Sequence, residues 1–173
     1  MPAYKAAAYV DPTAMRRMMG GFATGVAVVT TACDGEPRGM TVNSLTSVSL
    51  SPPLLLVCLA RGAHTTEVIT RRRAFVVNLL SERQEELSRL FASPGNNRFA
   101  GLGAEFTESG LPVLPRTLGW AECALTEALP AGDHLIALGR VLSCTYRDGL
   151  PLVFYRGRYH RVSGEGHDAG WYW

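Results

Sequence analysis

The chain has 173 residues, of which 47% are apolar and 18% charged, and its formal net charge is +2. This length suits one domain with a substantial hydrophobic core. The net charge is much smaller than that of a typical nucleic-acid-binding protein, so we do not expect a nucleic-acid partner. The low share of charged residues indicates that part of the surface is covered in a homodimer.

The N-terminal part of the chain predicts one helix and a hairpin. Asp11 is a helix-capping residue, and the glycine pair 20–21 ends the short helix that follows it. β-branched and small residues then predict a strand over 26–31, a turn at 34–35 and extended chain over 39–50.

The middle of the chain predicts two strands and two connecting helices. Continuous apolar runs over 54–59 and 75–80 are typical of buried strands. Residues 64–73 suit a helix between them, and Ser81 with Gln84 forms a capping box that predicts a second helix ending near residue 92.

Three more strands are predicted in the C-terminal part of the chain, over 119–129, 135–146 and 152–162, the last with a break at Gly157. Six or seven strands with glycines among them and only two or three short helices favour a mainly β fold, a closed or nearly closed barrel. The longest apolar run, 52–60, is too short to span a bilayer, so we expect neither membrane insertion nor export.

The four cysteines are widely separated and form no CxxC pair. They are Cys33, Cys58, Cys123 and Cys144. Three of them lie in apolar, strand-like stretches, so we expect buried, reduced thiols in a cytoplasmic protein. Their spacing matches no metal site, and we expect no bound metal.

The most unusual segment is 39–49, in which six of eleven side chains are short hydrogen-bonding groups. Its alternation of apolar residues slips after Val42, which predicts a bulge or a turn that exposes backbone groups. Such groups suit a planar, polar-edged heterocycle, although the segment taken alone fits a half-exposed strand rich in Thr and Ser better.

Four further segments carry residues that could bind a ligand. Residues 59–66 lead from a strand into a helix whose N-terminus, with Arg61, could bind a phosphate, and the alternative is an ordinary connection. In 96–99 an arginine precedes Phe99, in 132–134 a tight turn precedes His134, and 155–159 places two aromatics and two arginines around a glycine.

Several common catalytic motifs are absent. No GxGxxG follows a strand, since 101–103 lacks a third glycine, and no GxxxxGK[ST], GxSxG or HExxH occurs. If the chain catalyses a reaction, a bound cofactor therefore supplies the chemistry.

Five segments of the chain together resemble the flavin reductase domain, the reductase component of two-component flavin-dependent monooxygenases. The matching segments are 22–31, 39–53, 75–80, 132–134 and 151–159. The resemblance implies a split β-barrel of the Greek-key, FMN-binding type. It divides the chain into an N-terminal tail, 1–13, a domain over 14–162 and a C-terminal tail, 163–173, that ends in three aromatic residues.

The resemblance also implies a set of site residues. The flavin ring and ribityl chain would lie along Met40, Thr41, Val42, Asn43, Ser44 and Ser47, and the phosphate side along Leu59, Ala60, Arg61, His64 and Thr65. Phe99 would flank the flavin, and His134, with Tyr159 nearby, would face the nicotinamide as a positioning residue. The chain departs from the family pattern at Val42, Ala63 and Asn97.

The implied activity is reduction of FAD or FMN by NADH or NADPH, with release of the reduced flavin to a separate monooxygenase. The implied assembly is a homodimer. An oxidase with tightly held FMN and a flavin- or haem-binding module of similar shape remain as alternatives. The residues leave open both the choice between FAD and FMN and the choice between NADH and NADPH.

Overall fold

The computed structural model describes residues 9–95 and 97–163. Most of both predicted tails, and Asn96, lie outside the described residues. Three α-helices occupy Pro12–Met19 (α1), His64–Arg72 (α2) and Glu85–Ala92 (α3). The strands are Thr24–Gly25 (β1), Ala27–Cys33 (β2), Glu36–Val42 (β3), Thr46–Leu50 (β4), Pro53–Ala60 (β5), Ala74–Leu79 (β6), Glu105–Phe106 (β7), Pro112–Val113 (β8), Gly119–Ala131 (β9), His134–Tyr146 (β10), Leu152–Tyr155 (β11) and Arg158–Arg161 (β12).

Seven antiparallel strands form one curled sheet in the order β3-β2-β6-β9-β10-β5-β4. Its two edge strands, β3 and β4, follow each other in the chain and are joined by residues 43–45 alone. Because so short a link cannot span an open seven-stranded sheet, the edges must meet, and the sheet forms a nearly closed barrel. Strands β1, β11 and β12 form a separate small sheet, and β7 pairs with β8. The predicted mainly β split barrel is confirmed.

The barrel core is built from alternate residues of its strands. Val29, Val57, Phe75 and Cys123 are almost fully buried there, as expected for strands with one face toward the interior. Burial raises the pKa of the Cys123 thiol to about 12, so this cysteine is a neutral, apolar packing group. A second cluster, which includes Leu80, Phe91 and Leu152, fills the space beneath α3.

The predicted helices are present, and one of them starts at a different residue. Asp11 caps α1 as expected, since its carboxylate accepts a hydrogen bond of 3.2 Å from the backbone N–H of Ala14. The second connecting helix begins at Glu85 rather than at Ser81. The side chain of Gln84 does accept a hydrogen bond from the Ser81 N–H, but Ser81 is held in a β-bridge to Pro151 and is not helical.

Two other expectations need correction. The extended chain over 39–50 is two strands, because the backbone leaves the sheet after Val42, where the alternation slips. The cysteines are free, as expected, but only Cys123 is buried; Cys33 and Cys58 are half-buried and Cys144 is exposed. Cys144 lies near the end of β10, where that long strand extends beyond the core.

Strands β9 and β10 form a long hairpin that carries His134 at one end. Its turn is Gly132-Asp133, and Gly132 has a φ of +62°, which glycine adopts without the strain that a Cβ would cause. His134 is the first residue of β10 and pairs with Ala60 at the end of β5. No helix in residues 9–95 and 97–163 has both the length and the apolar character to cross a bilayer.

Candidate functional site

A cavity of about 400 Å³ lies between strand β3, the N-terminus of α2 and the segment that follows α3. Five of the predicted site residues line it: Met40, Thr41, His64, Thr65 and Phe99. These residues come from three segments that are distant in the sequence, so the barrel brings together what the sequence predicted as separate pieces.

Strand β3 forms one wall of this cavity and is tied to both helices. The Gly39 carbonyl accepts hydrogen bonds from Thr65 Oγ1, at 3.2 Å, and from Arg98 Nη1, at 3.0 Å. A Cβ at Gly39 would lie 2.8 Å from Cε1 of the buried Phe91 ring, so only glycine lets α3 pack directly on the strand. Thr65 is itself buried, and its hydroxyl therefore also fixes the start of α2 against β3.

Two neighbouring cavities continue along the chain beyond Thr41. A small one of about 170 Å³ is lined by Thr41, Val42, Asn43 and Tyr159, and a larger one of about 700 Å³ is lined by Asn43 and Ser44 among others. Each cavity shares a lining residue with the next, so the three cavities lie next to one another along residues 40–44, and we refer to this row of cavities as the groove. The Tyr159 hydroxyl is held at 2.8 Å from Ser88 Oγ.

Three residues that were predicted to contact the cofactor are bonded to another strand, buried, or exposed on an edge strand. The Ser44 hydroxyl donates to the Cys58 carbonyl and accepts from the Cys58 N–H, so it closes the barrel edge. Leu59 is only 1% exposed as a whole residue, so neither its side chain nor its backbone offers surface to a ligand. Ser47 is exposed on edge strand β4, opposite Leu55. Their roles toward a cofactor stay predictions.

Ala60, Arg61 and His134 form a second group, at the β9–β10 turn. The backbone N–H of Arg61 donates to the Asp133 carbonyl at 3.0 Å, and its guanidinium donates to the Gly132 carbonyl at 3.2 Å. Arg61 thus holds the turn in place. His134 Nδ1 lies 2.8 Å from Asp133 Oδ1, and this hydrogen bond is the main reason why the pKa of Asp133 lies below its ordinary value.

The donors around the first cavity fit a phosphate group. Ala63, the N-cap of α2, has no side-chain cap, so first-turn N–H groups remain available at the positive end of the helix dipole. Arg98 Nε is buried and has no hydrogen-bond partner among residues 9–95 and 97–163. Arg38 also lines the cavity, but its guanidinium is paired with Glu36 and donates to the Pro37 carbonyl. Free N–H groups at a helix N-terminus and guanidinium groups are typical of sites that bind phosphate groups.

Arg38 was not predicted to lie near a ligand, whereas Arg98 was noted in the segment 96–99 but was not assigned to the cofactor. Arg98 directly precedes Phe99 in the sequence, and that adjacency was the available signal. Arg38 carried no sequence signal, because it lies in the hairpin and its pairing with Glu36 is ordinary for a surface arginine. Only the packing of α3 and the following segment against β3 brings both arginines to the lining of one cavity.

Comparison with known proteins gives a family match over most of the chain. Residues 19–163 match the flavin reductase like domain. The chain is 42% identical to a Rhizobium meliloti (strain 1021) protein named "Probable flavin reductase", over 92% of this chain and 52% of that protein. It therefore spans about half the length of this relative.

A second relative and a solved structure are also named as flavin-related reductases. The chain is 40% identical to the reductase subunit HsaB of a flavin-dependent monooxygenase from Rhodococcus jostii (strain RHA1), over 89% of this chain and 80% of that protein. It superposes with a TM-score of 0.84 on the NADH:FAD oxidoreductase SgcE6 of Streptomyces globisporus C-1027, solved with NAD and FAD fragments, at 38% identity. That alignment covers 94% of this chain and 99% of the other.

The fold, the groove along 40–44 and these similarities agree with one another. A family match over residues 19–163 covers well over half of the 173 residues. The chain belongs to the flavin reductase like domain family.

Proposed function

We propose that this protein is an NAD(P)H:flavin oxidoreductase that reduces FAD or FMN and releases the reduced flavin to a separate monooxygenase. The observation that carries the proposal is the groove along residues 40–44, which ends at a cavity lined by an uncapped helix N-terminus and two arginines. A flavin nucleotide has the matching parts, a flat polar-edged ring joined by a ribityl chain to a phosphate.

The names of the relatives support the enzyme class and the cofactors. They include a reductase subunit of a flavin-dependent monooxygenase and an NADH:FAD oxidoreductase. The predicted flavin reductase class is confirmed by these relatives, and so are flavin and a reduced nicotinamide as its reactants. The identity of the monooxygenase that this chain serves is not given by any of them.

Hydride transfer from a nicotinamide to a flavin needs little acid or base catalysis from the protein. When both are bound, a reduced nicotinamide would supply a hydride to the flavin, a transfer that requires the two rings to be held close together in a fixed orientation. The chain's own residues then have three tasks: to bind the phosphate, to wall the ring, and to hold the nicotinamide. We assign these tasks to Arg98 with the start of α2, to Phe99 with the groove, and to His134.

The proposal is tested by mixing the purified protein anaerobically with NADH and an excess of free FAD or FMN. We expect many flavins to be bleached per protein molecule, because the cavities are open and a nucleotide can leave. The same assay with NADPH settles the nucleotide preference. Bleaching that stops after one flavin per protein would contradict release and favour the oxidase with tightly held FMN.

A homodimer is part of the proposal. No residue of α1 is buried, although Met15, Met18 and Met19 form an apolar face that continues to the exposed Phe22. An amphipathic helix with its apolar face in water is unfavourable, and a second copy of the chain would cover it.

Equilibrium sedimentation tests this assembly. We expect about twice the chain mass of 18.7 kDa for the native protein and a smaller mass for Met18→Glu, which places a charge on the apolar face. Arg83→Glu, an exposed change away from α1, serves as the control. A native protein that stays monomeric at micromolar concentration would rule out the homodimer.

We further propose that the domain occupies residues 14–162 and that the protein works in the cytoplasm. All four cysteines lie in the described residues and none forms a disulfide, which agrees with a reducing compartment. Fractionation of the source cells, followed by the flavin reduction assay on each fraction, tests the location.

A further inference from the structure

The largest of the three cavities along the groove, about 700 Å³, has an apolar rim that is in contact with water. Met19, Phe22 and Leu79 line it, and all three are exposed large apolar residues. Its lining also includes Val26 and Leu80, which are buried. Exposed apolar side chains gathered around one concave surface are unfavourable in water and are typical of binding sites. The cavity therefore suits an occupant with an apolar surface.

Thr24 adds one polar group to the same cavity. Its Oγ1 atom is buried, and within residues 9–95 and 97–163 it has no hydrogen-bond partner. A buried hydroxyl without a partner is destabilising. The occupant should therefore carry a hydrogen-bonding group beside its apolar surface, and the side chains of tryptophan and tyrosine combine the two.

Strand β12 leads the chain toward this cavity. Arg161, the last residue of β12, pairs with Leu152 of β11. The N–H of Leu152 donates to the Leu80 carbonyl at 3.0 Å, and Pro151, the residue before Leu152, lines the cavity as Leu80 does. Because β11 and β12 are antiparallel, the chain after Arg161 runs toward the Pro151 side. The last described residue, Ser163, is thus two positions beyond a residue that is paired next to the cavity lining.

The residues that follow Ser163 include side chains of the required kind. Residues 164–173 lie outside the described residues, and positions 171–173, which we call the aromatic segment, are Trp-Tyr-Trp. An extended chain spans about 3.3 to 3.6 Å per residue, so the eight residues from 164 to 171 can reach up to about 26 to 29 Å. A cavity of about 700 Å³ accepts a group as large as a small-molecule ligand. Reach, size and chemistry therefore agree with the aromatic segment as the occupant.

We propose that the aromatic segment docks in this cavity when no flavin is bound and closes the end of the groove at Asn43 and Ser44. Asn43 lines both this cavity and its smaller neighbour, so aromatic rings packed here occupy space that a flavin bound along the groove needs. The flavin must therefore displace the segment, which acts as a reversible plug. The effect on flavin rests on the proposed function, whereas the docking itself does not.

Acrylamide quenching of tryptophan fluorescence, without flavin, tests the docking. The chain has three tryptophans, so Trp120→Phe leaves only Trp171 and Trp173 to report on the aromatic segment. In this background we expect shielded tryptophans, and a quenching constant about two- to threefold higher after Leu79→Ser, which weakens the apolar rim. Leu142→Ser, on an exposed leucine of β10 outside this cavity, is the matched control. Equal quenching in all three proteins would overturn the proposal.

Calorimetric titration with FMN tests the effect on the flavin. We expect the dissociation constant to fall about three- to tenfold in the full chain carrying Trp171→Ala and Trp173→Ala, because no docked segment competes with the flavin. His167→Ala, in the same part of the chain, is the control and should bind FMN as the native protein does. Unchanged or weaker FMN binding in the double variant would contradict the plug.

Two further results separate the alternatives. Met19 and Phe22 also belong to the α1 face that we assign to the second copy of the chain. If the double variant at Trp171 and Trp173 has a lower mass in equilibrium sedimentation, the rings belong to the interface between copies and the proposal is wrong. If the tryptophans are shielded and Leu79→Ser exposes them, but the protein does not reduce flavin, the docking stands and the proposed function is wrong.

Discussion

Replacing Asn78 with leucine is expected to lower the free energy of unfolding by about 3 to 5 kcal/mol. Asn78 is completely buried on β6, and its amide makes three hydrogen bonds. The amide NH₂ donates to the Val28 carbonyl and to Thr30 Oγ1, each at 3.0 Å, and the amide oxygen accepts from the Leu114 N–H at 2.9 Å. Leucine is of similar size but makes none of these bonds.

The expected cost is large because the partners of Asn78 are buried as well. Val28, Thr30 and Leu114 are each at most 1% exposed, so water cannot replace the lost bonds. Each buried polar group left without a partner costs about 1 to 3 kcal/mol. The network also holds the segment at β8 against the barrel, since Thr30 Oγ1 donates to the Pro112 carbonyl at 2.5 Å.

Urea unfolding followed by circular dichroism measures this effect. Thr31→Val is the control on the neighbouring strand, because it removes one side-chain bond, to the Ala74 carbonyl, and is expected to cost about 1 kcal/mol. A loss for Asn78→Leu no larger than that of the control would show that the three bonds do not act together. If the variant cannot be purified folded, Asn78→Ser, which keeps a hydroxyl, gives the graded comparison.

Replacing His134 with alanine is expected to lower kcat/KM for the nicotinamide by about 10- to 100-fold while the flavin dissociation constant changes by less than about twofold. The fold should survive, because the imidazole is about half exposed and the residue pairs with Ala60 and Ala131 through its backbone. The His134 imidazole is bonded to Asp133, whereas the flavin-side hydroxyls of Thr41 and Thr65 donate to the carbonyls of Ser88 and Gly39. The loss therefore concerns the position of the nicotinamide.

A matched control is His160→Ala, an exposed histidine on β12 that pairs with Val153 and lies in no part of the proposed site. His134→Gln, which keeps a side-chain donor, is expected to recover part of the activity. The Asp133 carboxyl provides a check independent of turnover: its pKa should rise toward the ordinary value in His134→Ala, because the largest cause of its lowering is removed. Unchanged kinetics in the alanine variant would remove His134 from the site.

Local elements were predictable because their signals lie within a few residues. The Asp11 cap, the turn at Gly132 and the alternation that slips after Val42 each depend on a near neighbour, and the structure contains all three features. The predicted start of α3 at Ser81 was wrong, because the contact that keeps Ser81 out of the helix comes from a distant part of the chain. Ser81 pairs with Pro151, seventy residues away, and this bridge overrides the capping box.

Which side chains of the site are buried, and which groups they contact, could be learned only from the tertiary structure. The hydroxyl-rich segment 39–49 was recognised, but the sequence treats its serines alike, whereas Ser44 closes the barrel edge and Ser47 lies exposed on β4. Arg98 could be suspected beside Phe99, yet its burial against β3 depends on how α3 packs on Gly39. A cavity lined by Arg16, Arg17 and Arg156 joins α1 to a turn about 140 positions later, which no local pattern predicts.

The sequence by itself determined the fold class, the family and the order of the elements, because strand alternation, capping and turn residues act over short distances along the chain. The tertiary structure alone decided which polar groups are used up in holding the barrel and which remain available to a ligand. The physical reason is that a hydroxyl or a guanidinium has the same chemistry wherever it lies, and only closure of the sheet brings its partners within hydrogen-bonding distance.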